Sequence, residues 1–75
     1  MNFDQLKLEA IQQTGFKCFE DAKSHQNCWY GTSDKFADFK TLVSDKLETG
    51  TIVMLMDNST KYMYSAYKDT WYELN

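Results

Sequence analysis

Residues Gly50–Leu74 read GTIVMLMDNSTKYMYSAYKDTWYEL. Three short apolar and aromatic runs alternate with two polar clusters, Asp57-Asn58-Ser59-Thr60 and Lys68-Asp69-Thr70. Asp and Asn side chains bond to nearby backbone and so turn a chain. Runs of this length between such clusters predict a three-stranded antiparallel meander. The first strand, Thr51–Met56, is apolar at every position from Ile52 onward, which predicts a central strand or one covered on both faces. The second, Lys61–Tyr67, sets Tyr62, Tyr64 and Ala66 against Met63, Ser65 and Tyr67. Trp71–Leu74 closes the sheet.

Ahead of the meander, Ser33–Glu48 predicts a helix. At about 100° per residue, Phe36, Phe39, Val43 and Leu47 fall in one narrow stripe. Asp34, Asp38, Thr41, Asp45 and Glu48 fall on the opposite side. Ser33 or Thr32 is the expected N-cap, Asp34 suits the first turn, and Gly50 is the expected C′ residue. The Phe stripe is expected to pack on the sheet.

Asn2–Thr14 predicts another helix, with Asn2 as cap and Gln5 three residues later as a loose capping box. Leu6, Ala10 and Ile11 recur at helical spacing, with Phe3 at the start and Leu8 on the flank. Gly15 is available for a left-handed cap. Residues 16–24 support a strand through Phe16 and Cys18 or a helical turn through Phe19 and Ala22, and the residues do not choose. His25-Gln26-Asn27 is the expected turn, and Asn27–Tyr30 a further strand ended by Gly31. These elements define one domain, residues 1–75, of α+β class. An N-terminal helix and a central amphipathic helix pack on a small antiparallel sheet with a C-terminal three-stranded meander.

A chain of 75 residues is close to the lower limit for folding without disulfides or metals. Five Phe, five Tyr and two Trp compensate, because aromatic rings bury much area per residue. The net charge is −3, and all eight basic residues are Lys. Arg is the preferred reader of guanine edges and phosphates, so its absence and the acidic balance argue against nucleic-acid binding. No apolar run approaches the ~20 residues of a membrane span. The polar start MNFDQLKLEA does not resemble a secretory leader, which makes a cytosolic setting with reduced Cys18 and Cys28 the expectation.

Cys18, His25 and Cys28 are the only soft metal ligands. Their spacing matches no common zinc pattern, and the fourth ligand would have to be an acid such as Asp21. The simpler reading is two small core thiols and a surface His; outside a cell the two Cys would be candidates for a disulfide. No Ser-His-Asp set, phosphate-binding Gly loop or HExxH occurs, so no catalytic residue, metal or cofactor is expected. Asn58-Ser59-Thr60 is formally a glycosylation acceptor but reads as turn. Tyr62, Tyr64, Tyr67, Trp71 and Tyr72 exceed what one face of a small meander can bury. Some are expected on the surface, where Tyr and Trp favour interfaces.

The order Tyr30-Gly31-Thr32-Ser33-Asp34-Lys35, Gly50-Thr51, Met56-Asp57, Tyr62-Met63-Tyr64, Thr70-Trp71-Tyr72 resembles a small β-meander module of tailed-bacteriophage structural and accessory proteins. The resemblance runs from Trp29 to Leu74. Here Phe36 and Asn58-Ser59-Thr60 stand where the module usually has a Pro and a Gly-containing turn. It implies a phage-encoded or virion-associated protein without enzymatic activity. The expected function is therefore protein–protein contact with another phage protein or with itself, in the virion or host cytoplasm, through Tyr62, Tyr64, Tyr67, Trp71 and Tyr72. The alternative is an inhibitor of a host enzyme or nuclease that uses the acidic face Asp34, Asp38, Asp45 and Glu48.

Overall fold

The computed structural model describes residues 3–21 and 26–74. Helix α1 spans Phe3–Thr14, strand β1 Lys17–Asp21 and strand β2 Gln26–Gly31. A 3-10 turn at Ser33–Lys35 leads into helix α2, Phe36–Leu42. Strands β3 (Ile52–Leu55), β4 (Thr60–Ser65) and β5 (Thr70–Glu73) follow. The five strands form one sheet in sequence order. The expected C-terminal meander is present: β3–β4 and β4–β5 are antiparallel. The sheet as a whole is mixed rather than antiparallel, because β2 and β3 run parallel. Parallel neighbours need a crossover, and α2 supplies it.

Residues 17–21 are strand, which resolves the first part of the ambiguous segment; residues 22–24, His25 and the cap residue Asn2 lie outside the described residues. The expected strand from Asn27 is present as β2, and it begins one residue earlier, at Gln26, a residue expected in the turn. Pairing with β1 accounts for this: Asp21 stands opposite Gln26 and Glu20 opposite Asn27.

Both helices lie on the same side of the sheet and share one core with it. Leu6 and Ala10 of α1 meet Phe16, Trp29, Val53, Leu55 and Tyr64 from the sheet side and the complete stripe Phe36, Phe39, Val43 and Leu47. On α1, Thr14 rather than Ile11 completes the buried face. Its hydroxyl donates to the Ala10 carbonyl (2.7 Å) and accepts from the Phe16 amide (3.2 Å), so its polar atom is satisfied inside. Gly15 adopts φ +75°, the expected left-handed stop.

Helix α2 is shorter than its apolar period. The helix ends at Leu42, and Lys46 donates to the Val43 carbonyl in a tighter turn. The Asp69 carboxylate explains the stop. It accepts from the Ser44 hydroxyl (2.7 Å) and the Asp45 amide (3.4 Å) while Asp45 turns to φ 60°. Val43 and Leu47 stay buried because the tighter turn keeps them on the same side. Ser33 is not a helix cap either: its amide (2.9 Å) and hydroxyl both donate to Asp57, tying the β3–β4 turn to the start of the crossover.

Candidate functional site

Alternation along each strand sorts side chains between the helix-covered face and its reverse. On β3, Val53 and Leu55 are buried while Ile52 and Met54 are half-buried. Of the two expectations for this strand, the central position holds, since β3 is the middle strand of the five, and cover on both faces does not. Both helices are committed to one side, and no described element covers the other.

The registers place one residue of each strand in a continuous line across the open face. Phe19 stands opposite Cys28, Cys28 beside Ile52, Ile52 opposite Met63 and Met63 opposite Tyr72. The line is apolar from edge to edge. Phe19 is 63% exposed and Tyr72 49%. Next to it runs a second line, Lys17, Tyr30, Met54 and Lys61, on the same face. On the opposite side of the apolar line stand Ser65 and Thr70. Tyr30 and Met54 widen the apolar stripe, and Lys17 and Lys61 on one side with Ser65 and Thr70 on the other form its polar rim, the surface pattern of a contact site in which Met and aromatic residues are enriched.

The five expected contact residues divide. Tyr64 is fully buried and Tyr62 and Trp71 pack half-buried against the core, all three on the helix side. Trp71 lies 4.9 Å from Tyr64 and 5.7 Å from Phe36, ring centre to ring centre. Only Tyr72, on the open face, and Tyr67, at the tip of the β4–β5 turn and 89% exposed, have much surface to offer. Phe19, Ile52 and Met63, which single out the open face, escape a reading by local pattern. They become neighbours only through pairings distant in sequence, including the parallel one.

The acids of the alternative reading, Asp34, Asp38, Asp45 and Glu48, are all exposed but do not share one helix face. Asp34 sits in the 3-10 turn, Asp38 in α2, and Asp45 and Glu48 beyond its end. Cys18 and Cys28 are not joined in a disulfide. Cys18 packs toward the core and Cys28 stands on the open face, so the two cannot share a metal site or bond without moving a strand. His25 and the side chain of Asp21, the other proposed zinc ligands, lie outside the described residues. Among the described residues no three His, Cys, Asp or Glu converge, and no helix is long and apolar enough to cross a membrane.

A cluster of hydrogen-bonded titratable groups sits at the Asp69 turn, in an open groove shared with Ala37, Lys40, Thr41, Ser44 and Trp71. Hydrogen bonds from Tyr64 (2.6 Å) and Ser44 hold the Asp69 carboxyl below its usual range. Burial, and then the bond to Asp69, pushes the Tyr64 hydroxyl up to about 12. These atoms are occupied with one another, which makes the turn a structural clasp. An acid lowered in the fold stabilises it above the unfolded value of 3.8, and that contribution disappears as pH falls through the lowered one. Urea titrations across this acid range are expected to give a shallower loss of stability for Asp69→Asn than for the native chain. Asn tolerates the left-handed φ of 48° at this position, so the backbone is kept. Equal slopes would show that Asp69 is not a clasp. Tyr64 acts at the other end: its contribution is present below the unfolded value of 10.0 and is lost as pH rises toward about 12.

No family model matches the chain, and comparisons with curated proteins and with solved structures find no match.

Proposed function

We propose that this chain is a non-enzymatic, phage-encoded structural or virion-associated protein that works through protein–protein contact. The observation that supports contact is the uncovered apolar line Phe19–Cys28–Ile52–Met63–Tyr72, with its polar rim. In a domain this small, leaving a full sheet face uncovered forgoes burial that the fold needs, and association restores it. The phage part of the reading rests on the resemblance over Trp29–Leu74. The separated acids, interspersed with Lys35, Lys40 and Lys46, give no comparable support to inhibition of a host enzyme.

Quantitative mass spectrometry of gradient-purified particles tests this reading. The chain is expected at a fixed copy number per particle of the phage that encodes it. Abundant chain in infected cells with none in particles would sink the virion role.

A further inference from the structure

We infer that the occupant of the open sheet face is a second copy of this chain, so that the working unit is a two-fold dimer packed sheet against sheet. The inference rests on the reading of that face as a contact surface and names its partner.

Three observations carry it. The first is area. The chain exposes 4931 Å² and measures 30 × 25 × 24 Å, so one of its six sides presents about 800 Å². That is about what each partner contributes to an interface of standard size. The second is shape. The apolar line crosses all five strands, and two such sheets stack with strands nearly aligned at about 10 Å.

The third is charge. A two-fold axis lying along the apolar line brings each of its residues against its own counterpart, Phe19 on Phe19 and Met63 on Met63. The described lysines of the face, Lys17 and Lys61, both stand on the same side of that line. The axis therefore carries the partner's lysines to the opposite side. Lys61 of one copy arrives over Ser65 of the other, because Ser65 lies as far beyond Met63 as Lys61 lies before it. Like charges are kept apart and the apolar residues are brought together. An axis along the strands would instead set the Lys17–Lys61 line of one copy against the same line of the other.

The test is sedimentation equilibrium at about 100 μM protein, above the micromolar Kd that bounds interfaces of this size at the weak end. The native chain is expected at twice its 8.8 kDa mass. Phe19→Lys, at an exposed edge-strand position that tolerates Lys, is expected to be monomeric, since its two new charges would face each other. Mixing Phe19→Lys with Phe19→Glu in equal amounts is expected to restore the dimer. Tyr72→Lys repeats the test at the other end of the line if circular dichroism shows Phe19→Lys unfolded. A native chain that stays monomeric, a dimer indifferent to both Lys variants, or a mixture that fails to pair would each overturn the inference. A native monomer whose Phe19→Lys variant is lost from purified particles would overturn self-pairing and leave the contact reading standing. A native dimer absent from particles would overturn only the virion role.

Discussion

Replacing Phe39 with Ala is expected to remove about 3–5 kcal/mol of stability, among the largest losses from a single truncation in this chain. The ring is fully buried. It stacks on Phe16 at 4.4 Å with the planes 13° apart, meets Trp29 at 5.1 Å and Trp71 at 6.2 Å. Those neighbours come from the lead-in to β1, from β2 and from β5, so the one side chain joins both edges of the sheet to the crossover helix. Large rigid rings fixed on paired strands cannot close the cavity that alanine leaves, which places the cost in the upper part of the range. A domain of 75 residues holds roughly 4–11 kcal/mol in total at ordinary stability per residue. A loss of that size takes a large share of the total, and at the lower end of the range it brings the variant to its unfolding midpoint without denaturant. Urea titration decides it, and a loss below about 1 kcal/mol would remove Phe39 from the centre of the core. Phe19→Ala, measured where the chain is dilute, is the contrast. Its ring is mostly exposed, and the expected change stays within about 0.5 kcal/mol.

The two phenylalanines show what local sequence could and could not reveal. Phe39 was legible because its helix neighbours repeat at Phe36, Val43 and Leu47, and one stripe on one element needs no knowledge of the rest of the fold. The meander was legible for a similar reason: its turns carry their own chemistry at Asp57-Asn58 and Lys68-Asp69. The helix end was not. A side chain 24 residues away, Asp69, captures the Asp45 amide and ends α2 early, an event that no window around residues 33–48 contains. The parallel pairing of β2 with β3 was equally hidden, since strand pattern reports which residues alternate and not which strands meet. That pairing joins Cys28 to Ile52 and so completes the apolar line. The tyrosine-rich meander pointed to a surface, but Tyr62, Tyr64 and Trp71 face the helices. The open face is built from less conspicuous residues: one Phe from an ambiguous segment, one Cys, one Ile and one Met, ending in Tyr72.

Replacing Gly31 with Ala is expected to be as disruptive as many large-to-small core changes, although it adds a single methyl group. The residue has an ordinary backbone conformation, so strain from φ is not the reason. Space is. A Cβ at Gly31 would lie 2.4–2.6 Å from three atoms of the Phe16 ring. Neither group can yield cheaply. Phe16 is fully buried, with Phe39 stacked at 4.4 Å and Phe36 at 6.2 Å. Gly31 is held by β3, with its carbonyl accepting from the Met56 amide at 2.8 Å. The methyl would also restrict the unfolded chain, which favours folding by about 0.4–1 kcal/mol. Overpacking costs typically 1–3 kcal/mol, and a contact this close belongs at or above the top of that range, so destabilisation wins. Phe16 is also the aromatic lid over a strand glycine, an arrangement that offsets the missing side chain. Shortening the lid should therefore relieve the clash. Phe16→Leu alone is expected to destabilise, yet the double variant Gly31→Ala/Phe16→Leu should lose less than the sum of the two single changes by about 0.5–3 kcal/mol. Urea titration of the four proteins measures that coupling. Strict additivity, or a neutral Gly31→Ala, would mean that the ring and the strand do not meet as the structure has them.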